Sequence, residues 1–173
     1  ERRGFLGGSD VADVFNLEPY GCSKRLWYEK TGHEPDYPKD SFHLRRGKML
    51  EPLAATLYGE ETGRKLMRVT KEHRDKEFPF MAAHIDRRIV STSDLGPGVL
   101  EIKCPSMRQF SIYKHTGVDQ SHILQMQHYL RVLKLKWGAY SIFSAELASM
   151  LPFDVMRDED LIKLIVAGEL AFW

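Results

Sequence analysis

The stretch VLEIKCPS, residues 99–106, sets Glu101 and Lys103 on either side of Ile102 in what reads as a buried strand. Side chains alternate faces along a strand, so Glu101 and Lys103 share one face while Leu100, Ile102 and Cys104 take the other. The apolar set can anchor the strand. The charged set must face a cleft or find partners, because an unpaired buried charge is costly. Asp86 lies upstream in HIDRRIV, on a strand that a hairpin would place beside residues 99–104. An Asp and a Glu on adjacent strands suit a hard divalent ion such as Mg²⁺, which prefers carboxylate oxygens and water, and the Ile102 carbonyl adds one more oxygen. Such an ion would hold a phosphate oxygen and activate a water. Lys103 beside it would orient or deprotonate that water, or neutralise charge developing on the phosphate. Glu-x-Lys alone is common as an exposed same-face pair. Here the apolar flanks, and an upstream Asp in another apolar run, set it apart.

Several elements must position these groups. In GFLGGSDVADVFN, two glycines lead to Ser9 as helix N-cap, with Val11, Val14 and Phe15 turned inward. CSKRLWYEKTGH reads as a second helix capped by Ser23 and ended by Gly32, and residues 33–42, with Pro35 and Pro38, read as loop. A longer helix is expected from Phe42 to Glu61, with a kink or a new start near Glu51 because of Pro52. The period then changes to that of strands in LMRVTKEH, FPFMAAHI, DRRIVST and VLEIKC, with turns around Asp75 and at LGPG (Leu95 to Gly98). DQSHILQMQHYLRVLK returns to helical spacing through Ile123, Met126, Leu130 and Leu133. WGAYSIFS reads as a further strand and DEDLIKLIVAGEL as a last helix. The order predicts an α/β (α+β) architecture, a mixed sheet flanked by helices.

The chain has 173 residues, which predicts a single domain over 1–173, and its net charge of +1 does not announce a nucleic-acid binder. Basic character is local: Arg64, Lys65, Arg68, Lys71, Arg74 and Lys76 crowd one stretch, and Lys114, Arg131, Lys134 and Lys136 mark another. The segment from Asp154 to Glu169 is mainly acidic. Two cysteines, Cys22 and Cys104, make neither a disulfide framework nor a zinc site by themselves, which fits a reducing, cytoplasmic setting. No apolar run approaches bilayer length and no signal peptide is evident. A first residue that is not Met and an apolar last AFW lead us to expect that residues are missing at both ends.

With Asp86 and Glu101-Ile102-Lys103 in view, the sequence resembles the PD-(D/E)XK nuclease superfamily, and within it the lambda exonuclease and YqaJ-type viral recombinase family. The likeness is carried by RRGFLGGSD (2–10), RGKMLEP (46–52), AAHIDRRI (82–89), LEIKCPS (100–106) and QMQHYL (125–130), in the family's order. It implies a restriction-endonuclease-like fold and a Mg²⁺-dependent exonuclease, Mn²⁺ substituting, that degrades one strand of linear double-stranded DNA from its 5′ end. It also implies a homo-oligomeric ring around DNA, and work with a single-strand annealing protein in phage recombination, in the bacterial host cytoplasm if phage-encoded. Arg87 and Arg88 stand after Asp86 where relatives often carry a small residue such as Gly.

The resemblance further implies metal ligation by Asp86, Glu101 and the Ile102 carbonyl, with Lys103 as the catalytic lysine. Glu51 matches the helix glutamate that reaches the metal, a placement consistent with its position beside Pro52. Gln125 matches the glutamine on the helix after the catalytic strand, while Gln127 points elsewhere. Arg2 and Ser9 correspond to residues that grip the 5′-terminal phosphate. A helix start after two glycines favours an anion. His84, His122 and His128 are expected to be structural, and Trp27, Tyr28 and Trp137 to lie in the core. Two other readings remain: a Cas4-like or RecB-like nuclease, the former disfavoured by two cysteines where a cluster takes four, and a non-catalytic DNA-binding or assembly module on the same fold.

Overall fold

The change of period along the sequence is realised in the computed structural model, which describes residues 2–17, 22–33, 41–90 and 95–173 (Arg2 by its backbone alone). A 3-10 turn at Arg2–Gly4 leads into the short strand β1 (Leu6–Gly7), a second 3-10 turn at Gly8–Asp10 and the one-turn helix α1 (Val11–Val14). Ser9 therefore lies inside the 3-10 turn and is not the N-cap that the sequence suggested. Asp10 does the local polar work, its Oδ2 accepting from the Gly7 N–H (2.9 Å) and from Lys30 Nζ (2.7 Å). Helix α2 (Ser23–Thr31) is capped by Cys22, whose sulfur accepts from the Arg25 N–H, and not by Ser23, which donates to Asn16 Oδ1 instead. It ends as expected at Gly32, where φ is 79°. Most of the loop expected at 33–42 lies outside the described residues.

Helix α3 (Phe42–Thr62) starts at the Ser41 cap and continues through Pro52, so the expected restart near Glu51 does not occur. The proline removes one N–H from the helix. Burial of Ala54, Ala55 and Tyr58 against the sheet holds the helix together across the gap.

The strand region divides into two sheets. Strands β2 (Leu66–Arg68), β3 (His73–Arg74), β4 (Met81–Ala83), β5 (Arg87–Ile89) and β6 (Gly98–Lys103) are shorter than the sequence runs suggested, because the chain crosses between the sheets twice. Helix α4 (Met107–Thr116) and helix α5 (Gln120–Leu133) follow, then β7 (Trp137–Ser144), β8 (Ser149–Met156) and helix α6 (Glu159–Phe172). The larger sheet has the order β2-β5-β6-β7-β8, and the smaller β1-β4-β3. Pairing of β6 with β7 is parallel, the other pairs of the larger sheet being antiparallel. The sequence reading missed α4 and β8. For α4 the signals were present: Pro105 stops the strand, and the Ser106 hydroxyl caps the helix by accepting from the Gln109 N–H. For β8 the obstacle is Pro152, which a sheet tolerates here because β8 is an edge strand.

Helices α4 and α5 cover one face of the larger sheet, where Val99, Phe110, Tyr113, Met126, Leu130 and Ile142 are buried together. Helix α3 covers the other face through Ala54, Tyr58, Ile89, Leu100 and Ile102, with Cys104 at the margin, as the alternation along VLEIKC required. Trp137 is fully buried, as expected, whereas Trp27 is 49% exposed, contrary to its assignment to the core.

Helix α6 is pinned to this assembly by a buried polar pair. His128 Nδ1 lies 2.7 Å from Glu169 Oε1 and its Nε2 lies 2.9 Å from the Ala82 carbonyl, with both residues inaccessible to solvent. Burial alone would lower the His128 pKa, but the Glu169 carboxylate and the Ala82 carbonyl more than reverse this and raise it. A folded-state pKa above the unfolded value contributes stability that is full below the unfolded value and fades as pH rises through the folded one. His128→Ala, which strands the Glu169 carboxylate, should destabilise the fold by about 3–5 kcal/mol. The loss should be greater at pH 6 than at pH 9, read by denaturant unfolding. An equal loss at both pH values would refute a charged His128.

Candidate active site

The cleft is built where the two sheets meet. Residues 84–86 carry the chain from β4 in the smaller sheet to β5 in the larger, and Asp86 occupies the bend. Antiparallel pairing of Arg87 with Leu100 brings that bend alongside β6, as the hairpin reading anticipated. The Ile102 N–H donates to Asp86 Oδ2 at 2.7 Å, which locks the bend to the strand carrying Glu101 and Lys103.

Glu101 and Lys103 point together from the α5-covered face. Lys103 Nζ donates to Glu101 Oε1 (3.0 Å) and to Gln125 Oε1 (3.0 Å), and Gln125 Nε2 donates to the same Glu101 oxygen (2.9 Å). Gln125 Nε2 also reaches the Tyr129 hydroxyl one turn further along α5, at 3.0 Å. Carboxylate, ammonium and amide form a closed triangle in which each orients the others. Two of the three N–H groups of the ammonium are engaged, and the third is left for the cleft.

The cleft itself has a volume of about 300 Å³ and is lined by Gly7, Gly8, Ser9, His84, Glu101, Lys103, Gln125 and Tyr129. Gly8 is required by close approach, since a Cβ there would stand 2.6 Å from Tyr129 Cε1. Ser9 is exposed at the cleft wall and also borders a second hollow of about 850 Å³, lined in part by Arg25, Ser106, Gln109 and His122. The Arg2 side chain lies outside the described residues.

Glu51 projects from α3 on the opposite side of the sheet, where Arg87 Nη1 donates to its Oε1 at 2.6 Å and to the Asp86 carbonyl at 2.6 Å. Arg87 was noted in the sequence only as a departure from the family pattern. Its ion pair explains how an arginine is accommodated there. Sequence reasoning gave Tyr129 no role, and it read Gly8 only as letting the backbone approach an anion; the close approach of Gly8 to Tyr129 joins distant segments. Gln127, as expected, points away: it is buried and bridges to the Met156 carbonyl and the Asp158 N–H. His84 is exposed at the cleft, 3.3 Å from Glu72 and packed on the Phe5 ring. His122 is paired with Asp119, and burial followed by the charge of Lys103 lowers its pKa.

Among the described residues no three His, Cys, Asp or Glu side chains converge as a metal cage. The oxygen donors at the cleft are Asp86, Glu101 and the β6 backbone, a hard set suited to Mg²⁺ completed by water. Two observations fit a cation there. Glu101 Oε2 is buried without a hydrogen-bond partner, although buried polar atoms are nearly always paired. Asp86 has its pKa pushed up to about 8, first by burial and then by the nearby charge of Glu101, with Glu51 adding to it, against the opposing Ile102 N–H and Lys103. Carboxylates crowded in this way are short of positive charge.

The fold is of the PD-(D/E)XK type seen in alkaline exonucleases. The chain belongs to the family of the YqaJ-like viral recombinase domain, whose profile matches residues 1–136. Across 174 aligned residues it is 30% identical to the uncharacterized protein YqaJ of Bacillus subtilis (strain 168); the match covers 100% of this chain and 53% of that protein, so the chain spans about half the length of this curated relative. Among solved structures it is similar to the alkaline exonuclease LHK-Exo from Laribacter hongkongensis in complex with dAMP, with a TM-score of 0.80 at 24% identity over 99% of this chain and 87% of that one. It is similar also to a phage-related exonuclease from Haemophilus somnus 129PT, with a TM-score of 0.68 at 13% identity over 97% of this chain and 93% of that one.

Asp86→Asn keeps an oxygen for the Ile102 N–H while removing the crowded charge. A carboxyl whose pKa is about 8 when folded and near 3.9 when unfolded makes the metal-free protein less stable as pH rises between those values. Metal-free Asp86→Asn should therefore be more stable than the wild type by about 1–3 kcal/mol at pH 8, with a smaller gain at pH 5. Thermal unfolding in a chelator reads this directly, and a gain independent of pH would contradict the crowding.

Proposed function

We propose that this chain is a Mg²⁺-dependent DNA exonuclease, Mn²⁺ substituting, that hydrolyses phosphodiester bonds of linear double-stranded DNA from the 5′ end. The observation that carries this reading is the Glu101–Lys103–Gln125 triangle beside Asp86, with one Glu101 oxygen buried and unpartnered. Family membership and the likeness to alkaline exonucleases support it.

Asp86, Glu101 and the Ile102 carbonyl would hold the ion, with Glu51 close enough to add charge to Asp86. When bound, the ion supplies a Lewis acid that polarises the phosphate and activates water. The chain's own groups do the rest. Lys103 Nζ is held by its bonds to two oxygens, and its free side can bind the attacking water or a phosphoryl oxygen. Gln125 fixes the position of that ammonium and is fixed in turn by Tyr129. Ser9, which lines the same cleft as Lys103 and has glycine backbone beside it, would meet the terminal phosphate, and Arg2 would join it. Ring assembly, an annealing partner and work in the host cytoplasm belong to the same reading. Among the described residues no helix is long and apolar enough to cross a membrane.

Lys103→Ala should retain the fold, judged by circular dichroism, and lose about 10²–10³-fold in Mg²⁺-dependent nucleotide release from linear duplex. Wild-type turnover in that variant would remove the lysine from the mechanism. Linear duplexes with 5′-phosphate or 5′-hydroxyl on chosen strands, beside a closed circle, test direction and end recognition. Preferred digestion of the phosphorylated strand is expected, and cutting of the circle would mark an endonuclease and dismiss the Ser9 role. Mg²⁺ binding by calorimetry should strengthen from pH 6 to pH 9 as Asp86 gives up its proton. The absence of any binding would leave a non-catalytic module as the better reading.

A further inference from the structure

The face of the larger sheet that bears Glu101 and Lys103 does not end at the cleft. Directly paired residues of an antiparallel ladder share a face. Met67 pairs with Arg88, and Arg88 with Val99. Val99, Glu101 and Lys103 alternate onto one face, so Arg88 stands on it too, one strand away from the catalytic strand. Helix α5 packs over β6 and β7, through Gln125 on Glu101 and Met126 against Gly138. Over β2 and β5 the face is open, with Met67 and Val90 about half exposed, at 50% and 47%. Lys65, bonded through its carbonyl to the Val90 N–H, lies on the same side by alternation and is exposed. The shelf runs on to the other crossing between the sheets, residues 69–72, which carries exposed Lys71.

Charge on this shelf is not neutralised internally. Arg64, Arg74 and Arg87, close by in sequence, are each tied to a carboxylate. Among the described residues, Lys65, Lys71 and Arg88 form no ion pair. Glu72, the acidic residue beside Lys71 in the chain, is bound by Arg74 (2.6 Å) and lies 3.3 Å from His84. The charges that His73 feels are those of Lys71, Arg88 and His84, all of one sign, and they join burial in lowering its pKa. Protection of an edge strand accounts for Arg68 on β2 and Lys65 just before it. It does not account for Arg88, because β5 is an interior strand.

We propose that this shelf, built from Lys65, Lys71, His73, His84 and Arg88, seats the phosphate backbone of the duplex DNA adjoining the bond to be cut. The inference rests on the nuclease reading and adds to it the path of the substrate away from the Ser9 side of the cleft. An open, partly apolar sheet face with spaced cations matches a polyanion whose charges repeat along its length, and such contacts position a duplex without reading its sequence.

The test is a Lys71→Gln/Arg88→Gln double variant, with binding of a fluorescent duplex of 30 base pairs or so followed by anisotropy in a chelator, where no cutting occurs. Loss of two phosphate contacts should weaken binding at least about tenfold at low salt and flatten the slope of log K against log salt by about 2. Lys71→Arg/Arg88→Lys should recover most of the affinity. Lys134→Gln/Lys136→Gln, just past the C-terminal end of α5 and more than two helical turns from Gln125, should bind within about twofold of the wild type. Wild-type affinity and slope in the Lys71/Arg88 variant, with an unchanged thermal midpoint, would overturn the shelf. So would an equal loss in the Lys134/Lys136 variant, which would mean diffuse attraction. The nuclease reading is tested apart from this, by nucleotide release from the wild type in Mg²⁺. A protein that binds through the shelf yet releases nothing would refute the nuclease and leave the shelf standing.

Discussion

The hydrogen bond from the Ile102 N–H to Asp86 Oδ2, 2.7 Å long, is the contact on which the cleft depends. It fastens a bend between two sheets to the strand that carries Glu101 and Lys103. Asp86 is supplied by one crossing between the sheets and Glu101 by a strand of the larger sheet, so their separation is set by how the sheets meet. A backbone donor is well suited to this task because it cannot change rotamer. It also favours the charged form of Asp86 in surroundings that otherwise oppose it.

The rest of the molecule follows from keeping these charges half out of water. Helix α5 brings Gln125 over Glu101 and Lys103, and α5 is held in turn by Met126 against Gly138 and by the His128–Glu169 pair that ties it to α6. On the far face α3 supplies Glu51, and Arg87 joins that helix to the Asp86 backbone. The two helices clamp the sheet from opposite sides at the level of the bend. Where α5 stops covering the sheet, the face opens onto Arg88 and Lys65, so the packing boundary of one helix divides an enclosed cleft from an open basic surface.

Some corrections to the sequence reading share a cause. Ser9 and Ser23 both have the residue type of a helix cap, yet Asp10 and Cys22 make the local bonds instead, Ser9 lying inside the 3-10 turn at Gly8–Asp10 and Ser23 donating to Asn16 Oδ1. Pro52 argues against a continuous helix, yet α3 continues, because burial of Ala54, Ala55 and Tyr58 outweighs one missing donor. Pro152 argues against a strand, yet β8 forms at an edge, where a missing N–H is tolerated. For both prolines a local preference gives way to tertiary context that local pattern does not encode.

The sequence by itself determined the alternation along VLEIKC, and with it the division between the buried side chains Leu100 and Ile102 and the cleft-facing Glu101 and Lys103, because a period of two is a property of the strand. It also determined the pairing of the Asp86 segment with that strand, through hairpin spacing, and the family likeness, through motifs in order. Only the tertiary structure decided that the strand region splits into two sheets with Asp86 at their seam. It alone showed that Arg87 takes the Glu51 carboxylate, that Tyr129 supports Gln125 over Gly8, and that one face of β5 stays open. These are contacts between residues far apart in the chain, and their distances are set by how whole sheets and helices pack.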